Sequence, residues 1–209
     1  MIRIVIADDH AIVRHGLRQL LSAETSMSIV GEAQNGNEVL ELVRTTPVDI
    51  VVLDITMPGR NGLDTLKELR RLYPRVAVIV LSMHPKDQYA VRVLKAGASG
   101  YLSKESAPEE LVSAIKKVDR GEKYITHEMA ELLADYIQRG TGEEPHKQLS
   151  DREFEVLRMI GSGRGITEIA ETLNLSVKTV STYRSRIIEK TGLRSNAAMT
   201  RYVVEHRLL

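Results

Sequence analysis

The chain has 209 residues, enough for one large or two small domains, and its 43% hydrophobic and 27% charged content is an ordinary globular mixture. Its 29 basic and 28 acidic residues nearly cancel, so bulk charge singles out neither nucleic acid nor a membrane surface as partner. The absence of cysteine excludes disulfides and thiolate metal sites, and no apolar run approaches the ~18 residues of a membrane span. The start MIRIVIADD is too short and acidic for a signal peptide, so a soluble, cytoplasmic protein is expected.

From residue 1 to 118, short β-rich runs alternate with helical patterns. The spacing predicts strands at Ile2–Ala7, Met27–Ala33, Ile50–Asp54, Val76–Leu81 and Ser99–Leu102. Between them, Val13, Leu17, Leu20 and Leu21 recur at helical spacing, as do Leu63, Leu66 and Leu69. Ala90, Val91 and Leu94 form a further stripe, Leu111, Ile115 and Val118 another, and Val39 and Val43 a shorter one. Such alternation implies a doubly wound, five-stranded parallel sheet with helices on both faces. Ligands of such sheets bind beyond the carboxyl ends of the strands.

The texture changes over 119–148, where Met129, Leu132, Leu133 and Tyr136 suggest a connecting helix. The stretch Gln138–Gln148 (QRGTGEEPHKQ) carries glycine, proline and charge but no apolar residue, and reads as a linker. Residues 149–209 read as a second, all-helical domain of four helices. Ser150 with Glu153 makes a capping box, flanked by Leu149 and Phe154 at staple positions. Ile166, Ile169, Ala170 and Leu173 make a short helix, Asn174–Ser176 a tight turn, Val177–Thr191 a longer helix, and Ser195–Val204 closes the set. Residues 1–119 are charge-balanced, whereas 148–209 hold 10 basic and 7 acidic residues, a modest excess in the domain with the short helix-turn-helix.

Candidate chemistry sits at the strand ends. Asp54 ends the third strand, and Asp8 and Asp9 end the first; in a doubly wound sheet these ends meet at the switch point. Three converging carboxylates repel one another, and an oxygen-only set suits Mg²⁺ or Mn²⁺. Ser82 follows the fourth strand and Lys104 the fifth. A carboxylate nucleophile, a metal, a hydroxyl and a lysine together suit phosphoryl transfer. A lone strand-end aspartate is more often a cap or turn residue, but acids at two strand ends with Ser and Lys at the next two favour a site. His10 completes an Asp-Asp-His run, yet adjacent side chains do not converge on one ion, so His10 is expected to open the first helix.

The phrases ADDHAIVRHGL (Ala7–Leu17), VVLDITMPGRNGL (Val51–Leu63), VIVLSMH (Val78–His84) and AGASGYLSK (Ala96–Lys104) closely resemble the receiver domain of bacterial two-component response regulators. The first is similar to the NarL/FixJ subfamily in particular. The resemblance implies a flavodoxin-like fold and a sensor histidine kinase as partner. It implies Asp54 as phosphoacceptor, with Mg²⁺ held by Asp8, Asp9, Asp54 and the backbone carbonyl of Thr56. It further implies that Ser82 and Lys104 contact the phosphoryl oxygens and that Tyr101 matches the aromatic that rotates inward on activation. One departure stands: many receivers place a proline directly after the lysine, whereas Glu105 follows Lys104 here.

On a helical wheel, Val180, Tyr183, Arg184, Ile187 and Thr191 fall on one side of Val177–Thr191. Lys178, Ser181, Thr182, Ser185 and Glu189 fall on the other, with Arg186 at its edge. The second side carries short donors and cations of the kind that base edges and phosphates take. Leu149–Leu193 resembles the LuxR-type helix-turn-helix, which implies Ile166–Leu173 as scaffold and Val177–Thr191 as recognition helix on double-stranded promoter DNA. DNA contacts are then expected from Lys178, Thr179, Ser181, Thr182, Arg184, Ser185 and Arg186, and homodimer contacts from Ala198, Met199 and Tyr202. Positions 181, 182 and 185, which by family precedent face the bases, are Ser, Thr and Ser rather than lysines, implying a weaker electrostatic contribution.

The leading reading is a DNA-binding regulator switched by phosphorylation of Asp54, which catalyses nothing beyond its own phosphorylation and dephosphorylation. One alternative is an atypical regulator that binds DNA without needing phosphate. Another is a phosphatase with an Asp nucleophile; against it, Asp54 is followed by Ile55 and Thr56 and not by a second aspartate two residues on.

Overall fold

In the computed structural model, residues 1–58, 60, 62–82, 88–126, 129–131, 133–134, 145–206 and 208–209 are described. The chain divides into two compact units, Met1–Glu131 and Leu132–Leu209. Among the described residues no helix is long and apolar enough to cross a membrane.

The first unit alternates β1 (Ile2–Ala7), α1 (Ala11–Ser22), β2 (Met27–Ala33), α2 (Gly36–Thr45), β3 (Ile50–Asp54), α3 (Gly62–Leu72), β4 (Ala77–Ser82), α4 (Gln88–Lys95), β5 (Gly100–Ser103) and α5 (Ala107–Asp119). The strands are parallel in the order β2-β1-β3-β4-β5, the doubly wound sheet expected from the sequence. All five residues of β3 are buried, as a central strand covered on both faces requires. One core layer joins Ile4, Ile6, Val52 and Ile79 of the sheet to Leu17 and Leu21 of α1 and Leu111 and Ile115 of α5. The helices start and stop on local chemistry. Asn35 caps α2 by accepting from the backbone N–H groups of Asn37 and Glu38, both at 3.1 Å. In α5, Pro108 and two glutamates open the helix and Lys116 and Lys117 close it, in line with its dipole.

The last two strands lie one residue later than predicted. Val76 is drawn into a turn by its bond to the Tyr73 carbonyl, and the ladder continues one step further, pairing Ser82 with Ser103. Beyond α5 the chain returns to the sheet. Tyr124 forms a parallel bridge with Gly100, its N–H donating to the Ser99 carbonyl at 2.9 Å and its hydroxyl to Glu110 at 2.7 Å.

In the second unit, a 3₁₀ turn (Pro145–Gln148) precedes α6 (Asp151–Gly161), α7 (Ile166–Thr172), α8 (Val177–Thr191) and α9 (Asn196–Glu205). The predicted capping box is present: Ser150 accepts from the Glu153 N–H, and the Glu153 carboxylate accepts from the Ser150 N–H at 2.8 Å. Glu153 also takes a 2.6 Å ion pair from Lys190 of α8, tying the start of α6 to the end of α8. The turn between α7 and α8 uses Asn174 at a φ of 51°, a conformation that asparagine tolerates better than most residues. Gly161 meets α9 so closely that an added Cβ would lie 2.7 Å from the Val203 side chain. Residues 129–131 and 133–134 are helical; Leu132, Tyr136 and 138–144 of the expected connector lie outside the described residues. The expected linker runs to Gln148, but its last four residues form the 3₁₀ turn, with His146 fully buried.

Candidate functional site

The pairing of β1 with β3 sets Ala7 beside Leu53, so the next residue of each strand, Asp8 and Asp54, emerges at the same carboxyl edge. Both are almost completely buried. Lys104, just past β5, bridges them: its Nζ lies 2.6 Å from Asp8 Oδ2 and 2.8 Å from Asp54 Oδ2. The other oxygen of Asp54 accepts from the Thr56 N–H at 3.1 Å. Ser82 ends β4 one residue beyond Leu81, the ladder partner of Asp54, and is buried. Tyr101 of β5 is likewise buried. The loop after Asp54 has no spare room at Gly62, where a Cβ would stand 2.2 Å from the Asp54 carbonyl oxygen. Gly59 and His84 lie outside the described residues.

Burial is the main influence on Asp54 and, with help from the Asp8 charge, pushes its carboxyl up to about 6 against the opposing pull of Lys104 and the Thr56 N–H. Lys104 loses to burial but gains more from Asp54 and Asp8 together, so its ammonium titrates above the ordinary value. Asp8 Oδ2 is buried and accepts no well-aligned hydrogen bond among the described residues; it is held by the Lys104 ammonium alone. A pocket of several carboxylates whose charge a single lysine only partly balances fits a hard divalent cation.

His10 opens α1 as expected, yet its side chain also approaches the neighbouring acids. His10 does occupy the N-cap position of α1, but its side chain makes no capping bond. The ring turns instead to the acids, Nδ1 lying 2.8 Å from Asp9 Oδ1 and 3.2 Å from Asp8 Oδ1. Donor atoms of Asp8, Asp9, His10 and Asp54 all fall within 4.8 Å of one another. Adjacent residues meet because Asp8 closes a tight turn, accepting the His10 N–H at 2.8 Å.

The second candidate surface is the outer face of α8. Val180 and Ile187 are fully buried, Tyr183 and Arg184 half-buried, and Lys178, Ser181, Thr182, Ser185, Arg186 and Glu189 exposed, as the helical wheel divides them. Ser176 caps the helix by accepting from the Thr179 N–H at 3.0 Å and also meets the Thr179 hydroxyl at 2.8 Å. The Thr182 and Ser185 hydroxyls donate back to the carbonyls of Lys178 and Ser181, at 2.9 and 3.1 Å, leaving their oxygens as acceptors toward solvent. Arg184, expected among the DNA contacts, is half-buried, and its Nε donates to Asn196 Oδ1 at 2.9 Å, fastening α8 to α9. Of the expected dimer contacts, Met199 is corrected. It is fully buried in the unit's own core and has no surface to offer. Ala198 and Tyr202 are half-buried, and the outward stripe of α9 is Ala197, Arg201 and Val204.

Sequence reasoning missed His146. Its Nδ1 lies 2.8 Å from the Tyr202 hydroxyl, and its ring sits 5.8 Å from that of Phe154 and 6.1 Å from that of His206. A single histidine inside an otherwise polar run carries no periodicity that would announce burial.

The response regulator receiver domain family matches residues 4–116, and the luxR family of bacterial regulatory proteins matches residues 147–203. The response regulator UvrY of Escherichia coli strain K12 is 38% identical over 209 residues, covering 100% of this chain and 96% of that protein. Among solved structures, RcsB of Salmonella typhimurium has a TM-score of 0.71 at 28% identity, with 98% of this chain and 97% of that one covered. A structure of two RcsB dimers bound to two parallel DNAs has a TM-score of 0.61 at 29% identity, with coverage of 97% and 98%. The chain therefore belongs to the two-component response regulators that join a receiver to a LuxR-type helix-turn-helix, and it is a DNA-binding regulator of transcription.

Proposed function

We propose that Asp54 is the phosphoacceptor, and that its phosphorylation by a sensor histidine kinase or a small phosphodonor switches a cytoplasmic regulator toward a DNA-bound homodimer. The observation that carries this reading is the buried Asp54 carboxylate, shared with Asp8 on one lysine at 2.6 and 2.8 Å. An Asp54 oxygen attacks phosphorus; the new P–O bond makes an acyl phosphate as the donor's P–N or P–O bond breaks and its electron pair leaves with the donor. Asp8, Asp9, Asp54 and the Thr56 carbonyl would hold Mg²⁺ or Mn²⁺, which when bound neutralises phosphoryl oxygens. The Lys104 ammonium can follow the charge from carboxylate to phosphoryl group, and the Ser82 hydroxyl can donate to a phosphoryl oxygen. The phosphorylated pocket then favours one of two receiver states, a population shift read out at the DNA.

On α8, Lys178 and Arg186 would take phosphates, and Thr179, Ser181, Thr182 and Ser185 would meet the groove. The dimeric, DNA-bound form of RcsB supports the same assembly here, with Ala198 and Tyr202 at the margin of the pairing surface. Beyond transferring phosphate to and from itself, the chain is proposed to turn over no substrate.

Intact-mass measurement after incubation with acetyl phosphate and Mg²⁺, beside Asp54→Asn, tests the assignment. One phosphate per chain, lost in the variant and accompanied by gains in dimer and DNA binding, is the expected result. Normal labelling of the variant would overturn the site. No labelling of a wild-type chain that already binds DNA would favour the phosphate-independent regulator, and steady hydrolysis of phosphate esters the phosphatase.

A further inference from the structure

The 3₁₀ turn Pro145–Gln148 ends the stretch that the sequence reads as a joining segment and lies just before α6. It packs against α8, and through His146 it also bonds α9. His146 is 0% exposed. Burying an imidazole costs free energy unless its nitrogens are bonded, and an aliphatic side chain would fill the same space without that cost. What the histidine supplies is direction, because its Nδ1 meets one atom of α9, the Tyr202 hydroxyl, at 2.8 Å.

The Tyr202 ring is itself held. It stacks on His206 with ring centroids 3.9 Å apart, and the His206 Nδ1 in turn lies 2.9 Å from the Tyr202 carbonyl oxygen. The neighbouring residue of α9, Val203, rests on α6 at Gly161, where it fills the space a side chain would need. A sliding or rolling motion of α9 on that glycine seat must therefore break or carry with it the bond between Tyr202 and His146. Near the other end of α9, Asn196 holds Arg184 of the recognition helix. A continuous set of contacts thus runs from the end of the joining segment, through α9, to the DNA-facing helix.

We propose that His146 is a positioning residue for DNA binding: its bond to Tyr202 fixes α9 relative to the end of the joining segment, and the state of the receiver reaches α9 and α8 through this contact. The inference rests on the phosphorylation reading given above. It assigns the end of the expected linker a transmitting role that neither its polar composition nor the helix-turn-helix resemblance suggests.

The test uses the full chain and three variants. Tyr202→Phe removes the hydroxyl and keeps the ring, His146→Ala removes the imidazole, and His146→Asn keeps a side-chain amide near the Nδ1 position. Phosphate incorporation is read by intact mass. Binding to a labelled pool of randomised duplex DNA is read by fluorescence anisotropy, with and without acetyl phosphate and Mg²⁺. The ratio of the two binding constants is the diagnostic quantity.

Tyr202→Phe and His146→Ala are expected to take up phosphate like wild type, yet their ratio falls by about 2- to 10-fold, the range one hydrogen bond spans. His146→Asn recovers most of it. A ratio equal to wild type in Tyr202→Phe, whatever happens to the melting temperature, would reduce His146 to packing and overturn the proposal. Failure of wild type to take up phosphate would instead refute the phosphorylation reading on which it stands, so the two failures are distinguishable.

Discussion

Replacing Asp54 by asparagine should stabilise the metal-free receiver at neutral pH while abolishing its chemistry. In the fold this carboxyl titrates at about 6, against an ordinary value of 3.8, chiefly because it is buried and faces Asp8. As pH rises from about 4 to about 6, the unfolded chain gives up this proton before the folded chain does, so wild-type stability falls through that window. At about 1.4 kcal/mol per pH unit, the gap between the two values amounts to roughly 3 kcal/mol above pH 6. Asparagine is nearly isosteric and neutral, and so escapes that penalty. Urea unfolding in EDTA, followed by far-UV circular dichroism at about pH 7.5 and again near pH 4, measures the difference directly. The variant is expected to be more stable by about 2–3 kcal/mol at the higher pH and by almost nothing at the lower. Adding Mg²⁺ should raise the stability of wild type and leave the variant nearly unchanged, narrowing the gap. A variant less stable than wild type at neutral pH, or a difference independent of pH, would refute the electrostatic account of the pocket.

Two further outcomes follow from the same geometry. Gly62→Ala should cost about 1–3 kcal/mol in urea unfolding and slow phosphate uptake, because its Cβ would stand 2.2 Å from the Asp54 carbonyl oxygen and 2.6 Å from the Ile55 Cα. Unchanged labelling kinetics would show that the loop absorbs the methyl group. Lys178→Ala should weaken binding to all duplexes alike and reduce the slope of log K against log salt by about 0.9, the signature of one lost phosphate contact; a change confined to particular sequences would instead make Lys178 a base reader.

The sheet and the acidic pocket were legible because their causes are local. β3 is an unbroken apolar run ending in Asp54, and Asp8 directly follows β1, so strand periodicity and the switch-point rule sufficed to bring the acids together. The exposed face of α8 was legible for the same reason, since helical spacing divides Val180 and Ile187 from Ser181 and Ser185. Where a side chain has two possible neighbours, sequence fell short. Met199 was expected at a dimer surface, but helix periodicity cannot tell one apolar stripe facing a partner from one facing the chain's own core. The bond from Arg184 Nε to Asn196, twelve positions away, likewise has no counterpart on the helical wheel. His10 and His146 are harder still. The first depends on a turn that folds one side chain back onto its neighbours, the second on a contact with Tyr202, 56 residues distant.

The return of the chain at Tyr124 bears on where the receiver can be separated from the rest. Residue 118 is where the alternation of strand and helix patterns stops in the sequence, yet the free edge of β5 is covered by residues 123 and 124. The Tyr124 N–H bonds Ser99, the Lys123 ammonium meets the Ala98 carbonyl at 2.7 Å, and Tyr124 packs directly over Gly100. A fragment cut at residue 118 would bare the backbone donors and acceptors of β5 to any other strand in solution. Such a fragment would tend to stick to copies of itself, edge to edge, and its self-association would be an artefact of the cut. Ending the fragment beyond Tyr124 keeps that border closed, so that any dimer it forms on phosphorylation belongs to the protein.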